Sequence, residues 1–162
     1  MSQPLIISNS ISIHAPSAKV WNALTNPEET KKYMFGCEAL SDWKIGSPLI
    51  WKGNFNGVEL IAVKGAIKKI QPGKYLEYTV IDPNNPKIPD LPENYLTVTC
   101  ELTEHDGITT LTASQGDYHT VAEGADRYKH SVDGGGWGPI LEAIKAQVES
   151  GQSRSEIEQS TP

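Results

Sequence analysis

Apolar and polar residues alternate along much of the chain with a period of two, which is the pattern of half-buried β-strands. Residues 5–14 follow this pattern and predict a first strand. Further alternating segments lie between Cys37 and Gln115. The most regular is 95–103, in which the apolar positions are Leu96, Val98, Cys100 and Leu102. Six or seven consecutive strands with short turns predict one antiparallel sheet.

The hydrophobic period changes to that of a helix directly after the first strand. A first short helix is predicted to follow Pro16, because proline is tolerated in the first turn. A second is predicted to begin at Asn26-Pro27, where asparagine supplies a cap and two acidic residues follow. We expect this second helix to be seated by Tyr33, Met34 and Phe35.

The chain is predicted to end in a longer amphipathic helix. Its apolar stripe is formed by Trp137, Leu141, Ile144 and Val148. An antiparallel sheet with one apolar face must be covered, and this helix is the only element long enough to do so. The fold class is therefore α+β, with the terminal helix lying on the sheet.

Composition and charge limit the classes of function. The 162 residues suit one domain, and the net charge of −6 argues against a nucleic-acid partner. Apolar runs are too short for membrane insertion, and we expect no export signal, because the first residues lack a basic segment followed by an apolar one. Cys37 and Cys100 have no metal-ligand spacing, which favours a reducing, cytoplasmic location.

A set of large side chains is predicted to face the terminal helix from the sheet. If the alternation is correct, this set can line a cavity for an apolar or aromatic molecule, whereas a fully packed core is the alternative. The candidate ligand-binding residues are Trp51, Phe55, Tyr78, Val80, Val98, Trp137, Leu141 and Ile144.

Three other segments could carry chemistry. Residues 82–94 contain four prolines and form either a lid or an ordinary long connection. If 119–132 is helical, His119, Glu123, Asp126 and His130 share one stripe, but the two histidines are then about 16 Å apart, so no single metal site is predicted. The glycine-rich residues 133–139 lack the spacing of a phosphate loop and are interpreted as a break before the terminal helix.

An ordered series of short segments resembles the START-like SRPBCC (Bet v-type) superfamily. More narrowly, it resembles the homologues of the activator of heat-shock protein 90 ATPase (AHSA-type). The similarity covers roughly residues 5–149. The segments are Ile11–Glu29, Trp43–Gly46, Gly65–Pro72, Leu76–Tyr78, Asp106–Leu111, and Gly136-Trp137 with Leu141.

The resemblance implies a helix-grip fold, in which a curved antiparallel sheet of six to seven strands wraps around a long C-terminal helix. Two short helices follow the first strand, and an apolar cavity often lies between sheet and helix. We expect one such domain over residues 1–149 and a polar, disordered tail over 150–162.

Members of this superfamily bind lipids, hormones or polyketides, act as cyclases, or have no known role. Binding of an apolar or aromatic small molecule is our first expectation, with no cofactor, no metal and no assigned catalytic residue. One alternative is a polyketide cyclase or aromatase in which Tyr78 or His14 moves protons.

A second alternative is a chaperone-associated module. Co-chaperone members carry an additional N-terminal domain, for which no room is expected because the first strand begins near residue 5. We expect a monomer or a homodimer.

Overall fold

The computed structural model describes residues 4–160, with side chains described for residues 4–150. The strands are β1 (Ile7–Ile13), β2 (Glu38–Ser41), β3 (Pro48–Phe55), β4 (Val58–Gln71), β5 (Tyr75–Val80), β6 (Leu96–His105) and β7 (Ile108–Gly116). The helices are α1 (Ser17–Thr25), α2 (Pro27–Tyr33), α3 (Gly124–Asp133) and α4 (Gly138–Ser160). Side chains of the predicted disordered tail, 150–162, lie almost wholly outside the described residues, and its disorder stays a prediction.

The seven strands form one sheet in the order β1-β7-β6-β5-β4-β3-β2, and every neighbouring pair is antiparallel. This confirms the predicted α+β helix-grip fold. The turn between β6 and β7 also follows from its sequence, because Asp106 and Gly107 adopt φ values of 52° and 79°. Such positive φ values give the tight hairpin turn that the right-handed twist of the strands requires.

Local sequence determines where the second short helix, α2, begins. The Asn26 side chain accepts a hydrogen bond from the Glu28 backbone N–H at 3.0 Å, and Pro27 occupies the first turn of α2. Glu28 and Glu29 lie at the positive end of the helix dipole. The predicted start of α2 is therefore confirmed.

Helix α4 packs its apolar stripe into the hollow of the sheet. Leu141 and Ile144 are almost fully buried, at 1% and 0% exposure. Leu76 of β5 and Cys100 of β6 belong to the same core cluster and border the same small void as Ile144. The inward positions of the sheet thus meet the helix, as the alternation of the strands predicts.

Polar contacts fix α4 along the edge strand β1. Lys145 Nζ donates to the Ser12 carbonyl at 2.6 Å and to Glu149 Oε2 at 2.7 Å. The same Glu149 oxygen accepts a hydrogen bond from the His14 backbone N–H at 2.8 Å. These contacts satisfy backbone groups at the end of β1 that no neighbouring strand can reach.

The sheet bends where β4 passes close to β5. A Cβ atom on Gly65 would lie 1.6 Å from the Thr79 carbonyl oxygen, so only glycine permits this approach. The Thr79 hydroxyl fills the gap in the ladder by accepting a hydrogen bond from the Ala66 N–H at 3.1 Å. Register shifts interrupt both ladders of β4, which adds local twist to the strand.

Residues 119–132, whose spacing would suit one helix, are α-helical only from Gly124 onward. Residues 118–120 form a single 3₁₀ turn, in which Asp117 Oδ1 accepts a hydrogen bond from the His119 N–H at 2.9 Å. Glu123 then adopts a φ of 56°, and α3 begins only at the next residue. A side-chain cap and a left-handed residue therefore override the helical spacing.

The contact at Gly65 generates a test of sheet curvature. We expect Gly65→Ala to lower the free energy of unfolding by about 2–3 kcal/mol, because the methyl group must push β5 away from β4. Gly134→Ala is the matched control, since a Cβ there meets nothing closer than 3.5 Å. Denaturant unfolding of both variants gives the measurement, and equal small losses would contradict the proposed role of Gly65.

The Glu149 contacts predict a pH-dependent contribution to stability. The His14 N–H and Lys145 lower the pKa of Glu149 below its ordinary value of 4.5. This contribution is therefore present above pH 4.5 and is lost as the pH falls through the lower, folded-state pKa.

Glu149→Gln should lower the unfolding free energy by about 0.5–1 kcal/mol at pH 7, since the site is partly exposed. The difference from the unsubstituted protein should shrink below pH 4.5 in urea denaturation. Glu142→Gln, on the exposed side of α4, serves as the control. If Glu149→Gln lowers the unfolding free energy by the same amount below pH 4.5 as at pH 7, the loss of stability does not come from the charge of Glu149.

Candidate functional site

A cavity of about 440 Å³ lies between the sheet and the beginning of α4. Its volume falls within the range of small-molecule sites in proteins. Six of the eight predicted binding residues line it: Trp51, Phe55, Tyr78, Val80, Val98 and Trp137. The rings of Trp51 and Tyr78 lie 6.2 Å apart in a tilted arrangement and form one wall.

The other two predicted residues, Leu141 and Ile144, do not line this cavity. They lie deeper along α4, where Ile144 borders a void of only about 10 Å³. That space is too small for anything larger than one water molecule. The hollow of the sheet is therefore packed at its deep end and open at the start of α4.

Further lining residues come from elements that the strand alternation did not predict as part of the site. The segment after α2 contributes Met34, Phe35 and Cys37. Phe35 was expected to seat α2, but it is 79% exposed because its φ of 55° turns the chain away from the core. Its side chain lies at the mouth of the cavity, where no periodic pattern could have placed it.

Gln115 is a polar lining residue that is absent from the predicted set of binding residues. It continues the inward positions of β7 after Leu111 and Ala113, which are both buried. A polar side chain at an inward position of a strand is a recognisable departure from the apolar pattern. Such a departure is the signal by which Gln115 could have been found.

Trp137 connects α4 to the sheet by two hydrogen bonds. Its backbone N–H donates to Asn9 Oδ1 at 3.0 Å, and its indole N–H donates to Gln115 Oε1 at 3.0 Å. The preceding Gly136 has a φ of 60°, and a Cβ there would lie 2.7 Å from Ile7 Cγ2. The glycine-rich segment thus forms a close junction that brings the indole over the cavity.

The cavity wall is uncharged throughout the described part of the chain. Its lining contains no aspartate, glutamate, lysine, arginine or histidine. Burial raises the pKa of the Tyr78 hydroxyl well above 10 and raises the pKa of the Cys37 thiol. Both groups are therefore neutral near pH 7.

The long loop over residues 82–94 does not reach the cavity. None of its residues belongs to the lining. Its buried Asn94 donates to the Pro89 carbonyl at 2.9 Å and accepts from the Ala122 N–H at 2.9 Å. This geometry suits the connection between β5 and β6 rather than a lid.

The histidines and carboxylates of residues 119–130, which the sequence analysis considered for metal binding, lie on the surface. His119, Glu123, Asp126 and His130 are all exposed. Among the residues that the structure describes, no three His, Cys, Asp or Glu side chains are grouped so as to hold a metal ion. Over the same residues, every helix is too short or too polar to cross a membrane.

Comparison with known proteins gives a family match over most of the chain. The family model described as "Activator of Hsp90 ATPase homolog 1-like protein" matches residues 14–149. A search of curated proteins returns no match. The solution structure of ChR145 from Cytophaga hutchinsonii is 38% identical, with a TM-score of 0.74, and the alignment covers 94% of this chain and 99% of that one.

Two further solved structures share the fold at lower identity. The Aha1 dimer from Colwellia psychrerythraea is 20% identical, with a TM-score of 0.62 and coverage of 89% of this chain and 96% of that one. CalU16 from Micromonospora echinospora is 19% identical, with a TM-score of 0.61 and coverage of 88% and 73%. At this level of identity the similarity concerns the fold alone.

The two contacts of Trp137 predict a graded loss of stability. Trp137→Ala should lower the unfolding free energy by about 3 kcal/mol, near the lower end for a buried tryptophan, because one face of the ring borders the cavity. Trp137→Phe keeps a ring but loses the bond to Gln115, and should cost about 1 kcal/mol. Denaturant unfolding measures both, and an alanine variant as stable as the phenylalanine variant would disprove the bridging role.

Proposed function

We propose that this chain, which belongs to the Activator of Hsp90 ATPase homolog 1-like family, binds an apolar or aromatic small molecule in the cavity at the beginning of α4. Membership confirms the resemblance to AHSA-type SRPBCC proteins. It does not by itself identify a ligand, so the proposal depends on the geometry of this cavity.

The observation that carries the proposal is an apolar volume of about 440 Å³ beside a tightly packed core. Aromatic side chains, including Trp51, Phe55 and Trp137, supply much of its wall. Protein interiors normally leave few voids larger than a water molecule. Filling this one with an apolar molecule removes the surfaces of both ligand and wall from water, which favours binding.

The cyclase alternative receives less support from the same geometry. His14 is exposed and does not line the cavity, although its backbone contacts Glu149. Tyr78 lines the cavity, but its raised pKa keeps it protonated, so it cannot serve as a general base at neutral pH. A binding protein therefore accounts for the site better than an enzyme does.

The chaperone-associated alternative has no specific contact in its favour. The Aha1 protein from C. psychrerythraea is only 20% identical, and its dimeric state is a property of that protein. We retain a monomer or homodimer as the proposed state of this chain. The proposed location remains the cytoplasm, in which the buried free thiols of Cys37 and Cys100 are expected to stay reduced.

Fluorescence of N-phenyl-1-naphthylamine, a neutral apolar probe, tests the proposal. We expect saturable enhancement on mixing with the full chain, because the probe emits strongly in apolar surroundings. Val98→Trp should weaken binding at least about tenfold, because the added ring occupies the cavity. Thr99→Trp is the matched control, since it adds the same ring to the opposite face of β6.

Both variants are compared by circular dichroism and thermal unfolding before titration. Loss of binding in the Val98 variant alone supports the cavity as the site. Equal binding by both variants, or no saturable binding by the unsubstituted chain, overturns the proposed function.

A further inference from the structure

We infer that the ligand is a neutral molecule that carries a hydrogen-bond acceptor, such as the carbonyl oxygen of an aromatic ketone, and that Gln115 and Tyr78 recognise this acceptor. This inference rests on the proposed function and narrows its ligand class. It distinguishes such a molecule from a fatty acid or any other anion, and also from a plain hydrocarbon.

The orientation of the Gln115 amide follows from its contact with Trp137. An indole N–H can only donate, so the atom that faces it at 3.0 Å must be the amide oxygen. The amide nitrogen, with two N–H groups, then points away from the indole. No hydrogen bond from this nitrogen to another described residue is found, and the side chain lines the cavity.

Tyr78 provides a second donor in the same wall. Its side chain is 4% exposed and borders both the cavity and the small deep void, and its hydroxyl makes no hydrogen bond to residues 4–150. Buried hydroxyl groups are normally paired, so an unpaired one beside a cavity indicates a partner that the chain itself does not supply. Because burial keeps this hydroxyl protonated, it can donate to a ligand oxygen.

The strand register places the two donors in one row across the hollow. Tyr78 of β5 pairs with Val98 of β6, and Val98 pairs in turn with Gln115 of β7. Residues in such a row point to the same face, and two strand spacings separate the outer pair by about 10 Å at the backbone. The long outer side chains flank the space above Val98, where a ligand oxygen can meet either of them.

The uncharged lining opposes an ionic ligand. A carboxylate in the cavity would be removed from water with no lysine, arginine or histidine beside it among the lining residues. An ammonium group would likewise lack an aspartate or glutamate. Burying an unpaired charge is far more costly than burying a neutral polar group that gains a hydrogen bond. The wall therefore selects against both signs of charge.

Three probes of similar size separate the effects of the hydrogen-bond acceptor, of charge and of apolar contact on binding. They are benzophenone, diphenylmethane and diphenylacetate. They share two phenyl rings but carry a carbonyl, no acceptor, and a carboxylate, respectively. Titrations of the full chain are followed by ¹H–¹⁵N chemical shifts at pH 7. We expect benzophenone and diphenylmethane to bind, and diphenylacetate to bind at least about tenfold more weakly than benzophenone.

Two substitutions then isolate the donors. Tyr78→Phe and Gln115→Met should each raise the Kd of benzophenone about three- to tenfold, and Tyr78→Phe should change the Kd of diphenylmethane less than about twofold. Because Gln115→Met also removes the acceptor of the Trp137 indole, it is compared with Trp137→Phe, which loses the same bond but keeps the amide. Tyr75→Phe is the matched control, because Tyr75 lies on the same strand but donates to Glu77 at 2.7 Å outside the cavity. It should change neither Kd.

The outcomes separate this inference from the proposed function. Binding of both neutral probes, with no selective effect of either substitution on benzophenone, overturns the inference and leaves the cavity as a hydrocarbon site. Binding of diphenylacetate as tight as that of benzophenone also overturns it. Binding of none of the three probes overturns the proposed function and the inference together.

Discussion

The burial of the α4 stripe in the hollow of the sheet is the interaction on which the rest of the structure depends. Leu141 and Ile144 make no polar contacts with their side chains, and their burial removes apolar surface of helix and sheet from water at once. β4 and β5 approach closely at Gly65, and register shifts in both ladders of β4 add to the twist of the sheet. A flatter sheet would leave the helix on an open surface, and no cavity would form.

The cavity results from how α4 enters this hollow. The junction of α3 and α4 is held against β1 by Gly136 and by the bond from Trp137 to Asn9. Ile140 in the first turn of α4 lines the cavity, whereas Ile144 in the next turn is fully buried in the core. The volume is therefore enclosed by an aromatic wall on one side and by a packed core below.

Much of the fold could be predicted from period and turn chemistry, because both are local properties of the sequence. The strands, the Asn26-Pro27 helix start and the Asp106-Gly107 hairpin follow from such signals. The site was predictable where it lies on strands, as for Tyr78 and Val98, and at Trp137, which begins the apolar stripe of the terminal helix. The position of Phe35 depends on a left-handed backbone, and which turn of α4 faces empty space depends on the three-dimensional path of the chain.

The residues that stabilise the domain lie at the packed end of the hollow, and the residues that would contact a ligand lie at its open end. Leu141 and Ile144 belong to the first group, and Phe35, Phe55 and Gln115 to the second. Trp51, Tyr78 and Trp137 border both spaces, whereas Phe35, Phe55 and Gln115 border the cavity alone. Substitutions at these last three positions should therefore combine almost additively with substitutions at Ile144. In such a fold, substitutions among the residues at the mouth of the cavity can change which ligand is bound while the domain stays stable at every step.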